Sequence, residues 1–111
     1  MTNKYSLEGK VIVVTGGTGI LGNSFVDAIV EAGGTVGILG RKKDVAEERA
    51  NNINANGGKA IALVADVMNE EQLQICKQQV IDAFGKIDGL VNAAGGICLR
   101  VFYNQMKVYL Q

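Results

Sequence analysis

The sequence predicts an α/β protein built on a doubly wound parallel sheet that is truncated after about four strands. Two observations lead to this prediction. Short apolar runs alternate with longer helical segments along the chain, and short connections join them. The 111 residues suffice for one small domain, and 48% of them are hydrophobic, which is enough to build a buried core. Repeated strand–helix units of this length form parallel sheets.

The predicted elements follow in chain order. A first strand is expected at residues 11–15, because a continuous β-branched run is typical of a strand buried on both faces of a sheet. A first helix is expected at residues 20–32, and Gly33-Gly34 ends it. Its apolar positions share one face: Leu21, Phe25, Ala28, Ile29 and Ala32. The later elements are strands at residues 35–39, 59–65 and 90–92 and helices at residues 43–56 and 70–84.

The third helix has clear sequence signals at both of its ends. Asn69 is a typical N-cap residue, and Gly85 follows the last turn. One stripe of this helix is apolar: Leu73, Cys76, Val80 and Phe84. We therefore expect Cys76 to be a small buried residue of the core.

Composition argues against several classes of function. Eleven Lys and Arg residues balance eleven Asp and Glu residues, so the zero net charge indicates neither a nucleic-acid partner nor a membrane partner. No apolar run is long enough to span a bilayer, and the N-terminus lacks the apolar core of a signal peptide. The sequence has no His, and Cys76 and Cys98 lack metal-ligand spacing, so no metal site is expected. A reduced, cytoplasmic setting fits best.

The glycine-rich segment at residues 16–22 is the most informative feature for binding. It breaks the first strand and opens the first helix, where free N–H groups and the positive end of the helix dipole can hold a pyrophosphate. Gly16 permits the tight turn, Gly19 allows a ligand to approach the backbone, and Gly22 allows close packing of helix on strand. The alternative is a purely structural turn, because glycine serves any tight turn.

The carboxyl ends of the other predicted strands carry residues that can serve the same ligand. Ligands of parallel sheets bind at these ends, close to the point where the strand order switches. The residues there are small, basic or hydrogen-bonding: Gly40, Arg41 and Lys42, then Asp66 and Val67, then Asn92, Ala93, Ala94 and Gly95. The agreement between four strand ends supports a nucleotide site more strongly than the glycine turn does alone.

Three motifs together resemble the short-chain dehydrogenase/reductase family. They are Thr15-Gly16-Gly17-Thr18-Gly19-Ile20-Leu21-Gly22, Asp66-Val67 and Asn92-Ala93-Ala94-Gly95. The resemblance covers residues 7 to about 96. It implies a Rossmann-type sheet and NAD(P)-dependent hydride transfer to or from a hydroxyl or carbonyl group of a small polar substrate. It also implies a homo-oligomer, since family members usually are.

Two departures from the family pattern point to a subgroup. Ile20 stands where the compact enzymes of the family have their middle glycine, and Gly19 comes one residue earlier, a spacing that resembles the extended, sugar-nucleotide branch. Ala93 stands where many members have Asn. Together with Gly95-Gly96, this mixture resembles the mannonate and fructuronate oxidoreductases, which implies a sugar acid as substrate.

The resemblance also implies a set of cofactor-binding residues. They are Gly16, Thr18, Gly19, Ile20, Gly22, Arg41, Asp66, Val67, Asn92, Ala94 and Gly95. Asp66 would accept a hydrogen bond from the adenine amino group, with Val67 against the ring, although Asp66 can also cap the entry to the third helix. Asn92 would tie the central sheet together, while Ala94 and Gly95 would leave room for the ribose and the nicotinamide.

The choice between NAD and NADP depends on the end of the second strand. An acidic residue there pairs with the ribose hydroxyls of NAD, whereas Arg41 and Lys42 favour the 2′-phosphate of NADP. We therefore predict NADP as the cofactor. NAD is the alternative, because the glycine turn lacks the basic residue that many NADP enzymes of the family have. Arg41 and Lys42 can also be read as a solvated helix entry.

The catalytic half of the family's site is not evident. The family uses a Ser and a Tyr with a Lys four residues later. Tyr103 and Lys107 have that spacing, but only seven residues separate Gly95 from Tyr103, and no Ser follows Ser24. We interpret the match as accidental and expect a dinucleotide-binding half-domain at residues 1–96 and an atypical tail at residues 97–111, as a truncated or frameshifted product would have.

Three hypotheses therefore remain for the function. The chain belongs to an enzyme lineage, or it is a non-catalytic nucleotide-binding fragment, or it is an interaction module that pairs through an exposed sheet edge.

Overall fold

The computed structural model describes residues 6–16, 19–66 and 68–93 and the strand Val101–Phe102. The strands are β1 (Val11–Thr15), β2 (Thr35–Gly40), β3 (Lys59–Val64), β4 (Gly89–Asn92) and β5 (Val101–Phe102). The helices are α1 (Ile20–Glu31), α2 (Lys43–Ala55) and α3 (Glu70–Phe84). Each predicted element is present, and its ends lie within one residue of the prediction.

Among the described residues the strands form one sheet in the order β3-β2-β1-β4-β5. The pairs β1–β2, β1–β4 and β2–β3 are parallel, so the predicted parallel sheet is confirmed. The two-residue strand β5 is an addition that the sequence analysis did not predict. It runs antiparallel to β4, with Val101 opposite Val91 and Phe102 opposite Leu90. The pattern missed it because two residues are too few to show alternation.

Helices cover both faces of the sheet. Successive β1 residues point to opposite faces, so Val11 and Val13 belong to one apolar cluster while Ile12 and Val14 belong to the other. The first cluster contains the predicted α3 residues Leu73, Cys76 and Val80, with Phe84 packed at its margin. The second contains residues of α1 and α2: Val26, Ile29, Ala46 and Ala50. This arrangement makes the sheet doubly wound.

The buried face of α1 differs from the predicted one. Its buried residues are Gly22, Val26 and Ile29, whereas Leu21 is 41% exposed and Ala28 is exposed. The prediction was wrong at these two positions because it followed apolar residue types alone. Gly22 has no side chain to contribute to a hydrophobic pattern, yet it is buried.

Both predicted ends of α3 are confirmed. The Asn69 side chain accepts a hydrogen bond from the Gln72 N–H at 3.1 Å, and Gly85 ends the helix in the left-handed region with φ 83°. Cys76 is buried, as predicted, and burial raises the pKa of its thiol. No helix in the described part of the chain is long and apolar enough to cross a membrane.

The amino ends of the two central strands are held by one carboxylate. Asp88 Oδ2 accepts a hydrogen bond from the Val11 N–H at 2.7 Å and lies 3.1 Å from the Lys86 ammonium. The Asp88 N–H donates to the Val11 carbonyl at 2.8 Å. Burial alone would raise the pKa of Asp88, but the Val11 N–H and the Lys86 charge outweigh it and lower the pKa below its ordinary value. This end of the sheet is therefore fixed and lies opposite the carboxyl ends.

Candidate functional site at the carboxyl ends of the strands

Hydrogen bonds continue past the carboxyl ends of the four parallel strands and join them. They run from the Gly16 N–H to the Leu39 carbonyl at 2.9 Å, from the Ala65 N–H to the Gly40 carbonyl at 3.1 Å, and from the Ala93 N–H to the Thr15 carbonyl at 3.1 Å. The residues that follow β1, β2, β3 and β4 are thus held side by side. The sequence prediction that these four ends meet is confirmed for the described residues.

Two described residues of the glycine turn after β1, Gly16 and Gly19, lie close together. Gly16 has φ 73°, a conformation that an L side chain rarely adopts, and its carbonyl accepts a hydrogen bond from the Gly19 N–H at 3.0 Å. Gly19 is the N-cap of α1, with extended backbone, and among the described residues a Cβ there would meet only the Gly16 carbonyl oxygen at 3.5 Å. Ile20 follows and is 92% exposed. The first turn of α1 is therefore open to a ligand.

A buried polar pair lies where β1 meets β4, which is the point where the strand order switches. The Thr15 hydroxyl donates to Asn92 Oδ1 at 2.9 Å, and the two residues are 0% and 2% exposed. Asn92 thus joins the central strands, as the sequence analysis expected. Thr15 was not singled out as a site residue, although its position directly before the first glycine was the available signal.

An open groove of about 370 Å³ lies beyond the ends of β2 and β3. Its lining combines one cation, one carboxylate, one amide and apolar side chains: Arg41, Asp66, Gln72, Val64, Ala65 and Ile75. Val64 and Ile75 are 43% and 61% exposed, so apolar surface is available to a flat ring. Arg41 and Asp66, which the sequence analysis named separately, thus line one cavity.

Asp66 has a structural role besides its place in the groove. Its Oδ1 accepts a hydrogen bond from the Met68 N–H at 2.9 Å, and its own N–H donates to Gln72 Oε1 at 2.8 Å. The turn into α3 therefore depends on Asp66, which matches the alternative interpretation in part, because the N-cap itself is Asn69. Gln72 was missed, although Asn followed three residues later by Gln is the capping-box spacing.

Arg49 is a second residue that sequence reasoning missed. It lies on α2, and its Nη1 donates to the Gly19 carbonyl oxygen at 3.4 Å. A position in the second turn of a polar helix gives no signal of a contact with a turn thirty residues earlier, so only the tertiary structure reveals it.

The matching family model is that of the short chain dehydrogenases, and it spans residues 10–108. This chain belongs to that family. The match continues past residue 96, into the segment that the sequence analysis separated as a tail.

Relatives of this dehydrogenase family member span a range of described activities. Of the curated proteins, the uncharacterized oxidoreductase UxuB of Bacillus subtilis is 36% identical over 91 residues, which are 82% of this chain and 33% of that protein. Ketoacyl reductase HetN of Nostoc is 38% identical over 90 residues, 81% of this chain and 31% of that protein. The chain thus spans about a third of the length of these curated relatives.

A solved structure agrees with this fold. The crystal structure of a "putative D-Mannonate oxidoreductase" of Haemophilus influenzae with bound NAD has a TM-score of 0.77 and 32% identity, covering 83% of this chain and 33% of that one.

Several predicted site residues lie outside the described residues. These are Thr18, Val67, Ala94, Gly95, Tyr103 and Lys107. The structure therefore places the following predicted site residues, while the Tyr103–Lys107 interpretation stays a prediction: Gly16, Gly19, Ile20, Gly22, Arg41, Asp66 and Asn92. Among the described residues, no three His, Cys, Asp or Glu side chains are grouped to hold a metal ion.

Proposed function

We propose that this chain is the dinucleotide-binding part of an oxidoreductase that transfers hydride to or from a hydroxyl or carbonyl group of a small polar substrate. The observation that carries the proposal is the joining of four strand ends into one site, with the glycine turn on one side of Gly40 and the Arg41–Asp66 groove on the other. When bound, a nicotinamide dinucleotide supplies or accepts the hydride.

The described residues fit such a cofactor. The exposed first turn of α1 presents N–H groups and a positive dipole end to a pyrophosphate, and Gly19 lets it approach the backbone. In the groove, Val64 and Ile75 offer apolar contact for an adenine ring, and the Asp66 carboxylate is the acceptor we assign to its amino group. Asn92, with Thr15, keeps the central strands in register beside it.

NADP is the cofactor form that we propose. Arg41 follows β2 directly and lines the groove, and the last strand residue is Gly40 rather than an acid. A guanidinium binds phosphate through two parallel hydrogen bonds, whereas the ribose hydroxyls of NAD call for a carboxylate. The Haemophilus neighbour has NAD bound, so NAD is the alternative that the experiment must exclude.

A sugar acid is the substrate class that we propose. Support comes from the Ile20 and Ala93 departures in the sequence and from the description of the Haemophilus neighbour as a "putative D-Mannonate oxidoreductase".

Arg41→Asp tests the cofactor assignment. The change removes the cation that we assign to the 2′-phosphate and adds a carboxylate for the ribose hydroxyls, so calorimetric titration should show weaker NADPH binding and a ratio of affinities shifted toward NADH. The loss for NADPH should be at least tenfold, about the 1.5–3 kcal/mol of a charged hydrogen bond. Lys59→Asp is the matched control, because it makes the same charge change at the amino end of β3. An unchanged ratio in Arg41→Asp would refute the NADP assignment.

A further inference from the structure

We propose that Arg49 is a positioning residue for the dinucleotide: its guanidinium holds the glycine turn at the Gly19 carbonyl and adds positive charge beside the pyrophosphate. This inference rests on the proposed function, because it concerns the same site. Its starting point is the hydrogen bond from Arg49 Nη1 to the Gly19 oxygen at 3.4 Å.

The contact joins two neighbouring helices at the residue that starts one of them. Arg49 is half-buried on α2, and α1 and α2 pack against the same face of the sheet. The Gly19 carbonyl also accepts the first helical hydrogen bond of α1, from the Asn23 N–H at 2.9 Å. Arg49 therefore contacts the atom that helps to set the direction of the first turn of α1, whose N–H groups face the ligand.

The charge of Arg49 has the opposite sign to the usual charge at a helix N-terminus. The first turns of α2 and α3 contain Asp44, Glu70 and Glu71, which are favourable next to the positive end of a helix dipole. The first turn of α1 contains no acid, and no side chain among the described residues caps it. A guanidinium at this place adds its positive charge to the positive end of the helix dipole, and an anion bound there would interact favourably with both.

Arg49 also supplies a charge that the glycine turn itself lacks. No Lys or Arg occurs between Thr15 and Gly22, so positive charge at this turn must come from another element. Arg41 lines the groove beyond β2 and β3, whereas Arg49 contacts Gly19. We therefore expect the two arginines to act on different phosphates. Arg41 should change the ratio of NADPH to NADH affinity, and Arg49 should change both affinities by the same factor.

The test compares Arg49→Gln, Arg49→Lys and the unchanged chain by calorimetric titration with NADPH, NADH and ADP. At low ionic strength Arg49→Gln should weaken all three by a common factor of about two to five. The factor should shrink toward one in about 1 M salt, where the screening length is about 3 Å. Arg49→Lys should restore most of the affinity. Lys77→Gln, a half-buried cation on α3 at the other face, is the matched control and should bind normally.

A melting curve without ligand separates this role from a structural brace. A hydrogen bond as long as 3.4 Å from a half-buried side chain contributes little to stability, so the melting temperature of Arg49→Gln should stay within about 3 °C of the unchanged chain. A loss confined to NADPH, a loss of equal size at both salt concentrations, or a loss that Lys does not restore would overturn the proposal. Failure of the unchanged chain to bind any of the three ligands would refute the proposed function and this inference together, whereas normal binding by Arg49→Gln would refute this inference alone.

Discussion

Asp88→Asn tests how the amino ends of β1 and β4 are held together. The substitution keeps the shape of the side chain but removes its charge. A hydrogen bond to a charged group contributes about 1.5–3 kcal/mol to stability, and a neutral hydrogen bond contributes about 0.5–1.5 kcal/mol. The contribution of the hydrogen bond from the Val11 N–H should therefore fall by about 1 kcal/mol. The ion pair with the half-exposed Lys86 adds less than about 1 kcal/mol. We expect a loss of about 1–2 kcal/mol in the free energy of unfolding at pH 7.

The pH dependence of this loss has a definite sign. The pKa of Asp88 is lowered in the folded chain from its ordinary value of 3.8. A carboxyl group with a depressed folded pKa stabilises the fold above its unfolded pKa, and the stabilisation is lost as the pH falls through the folded value. The difference between the unchanged chain and Asp88→Asn should therefore be full at pH 7 and pH 5, and it should shrink below about pH 4.

The assay is urea unfolding followed by far-ultraviolet circular dichroism at pH 7, 5 and 3. Asp82→Asn is the matched control, because Asp82 is exposed on α3 and its carboxylate accepts only a surface hydrogen bond from Gln78 at 2.9 Å among the described contacts. Its cost should stay within about 0.5 kcal/mol. A cost for Asp88→Asn that equals the control, or that is the same at pH 3 as at pH 7, would refute the reasoning.

Two further predictions concern ligand binding and turnover. Gly16→Val should abolish dinucleotide binding in calorimetry, because a β-branched residue resists φ 73° and its side chain blocks the phosphate. The control is Gly57→Val, which imposes similar strain at φ 89° in an exposed turn. This control variant should lose stability but keep dinucleotide binding. The 111-residue polypeptide should bind cofactor without oxidising NADPH in the presence of sugar acids, ketones or aldehydes. The reason is that hydride transfer without a positioned proton donor loses a rate enhancement of about 10²–10⁴-fold. Turnover that Tyr103→Phe abolishes would contradict this expectation and assign the proton donor to Tyr103.

Local sequence signals were sufficient to predict most of the fold. The β-branched run at residues 11–15, the Asn69 cap and Gly85 each act through neighbouring residues, and the structure confirms them. The exposed Leu21 and Ala28 show the limit of this approach. The buried face of α1 includes Gly22, and a glycine adds nothing to the hydrophobic pattern from which a buried face is predicted.

The site was only partly predictable, because its residues come from different elements. Strand ends could be listed in advance since parallel strands place their carboxyl ends at one edge, and this rule located Gly16, Arg41, Asp66 and Asn92. The rule says nothing about side chains that reach the edge from a helix. Gln72 and Arg49 do so, and their contacts with Asp66 and Gly19 depend on the packing of α3 and α2.

Charge placement explains how a chain with zero net charge can hold an anionic ligand. The net charge reports only the sum and says nothing about where the single charges lie. At the amino end of the sheet the Asp88 carboxylate is paired with Lys86 and accepts a hydrogen bond from a backbone N–H. At the carboxyl end, Arg41 lines the groove and Arg49 reaches the glycine turn, where α1 has no acid in its first turn. The fold thus places a paired, structural carboxylate at one end of the sheet and Arg41, Arg49 and Asp66 at the other end, where we propose that the dinucleotide binds.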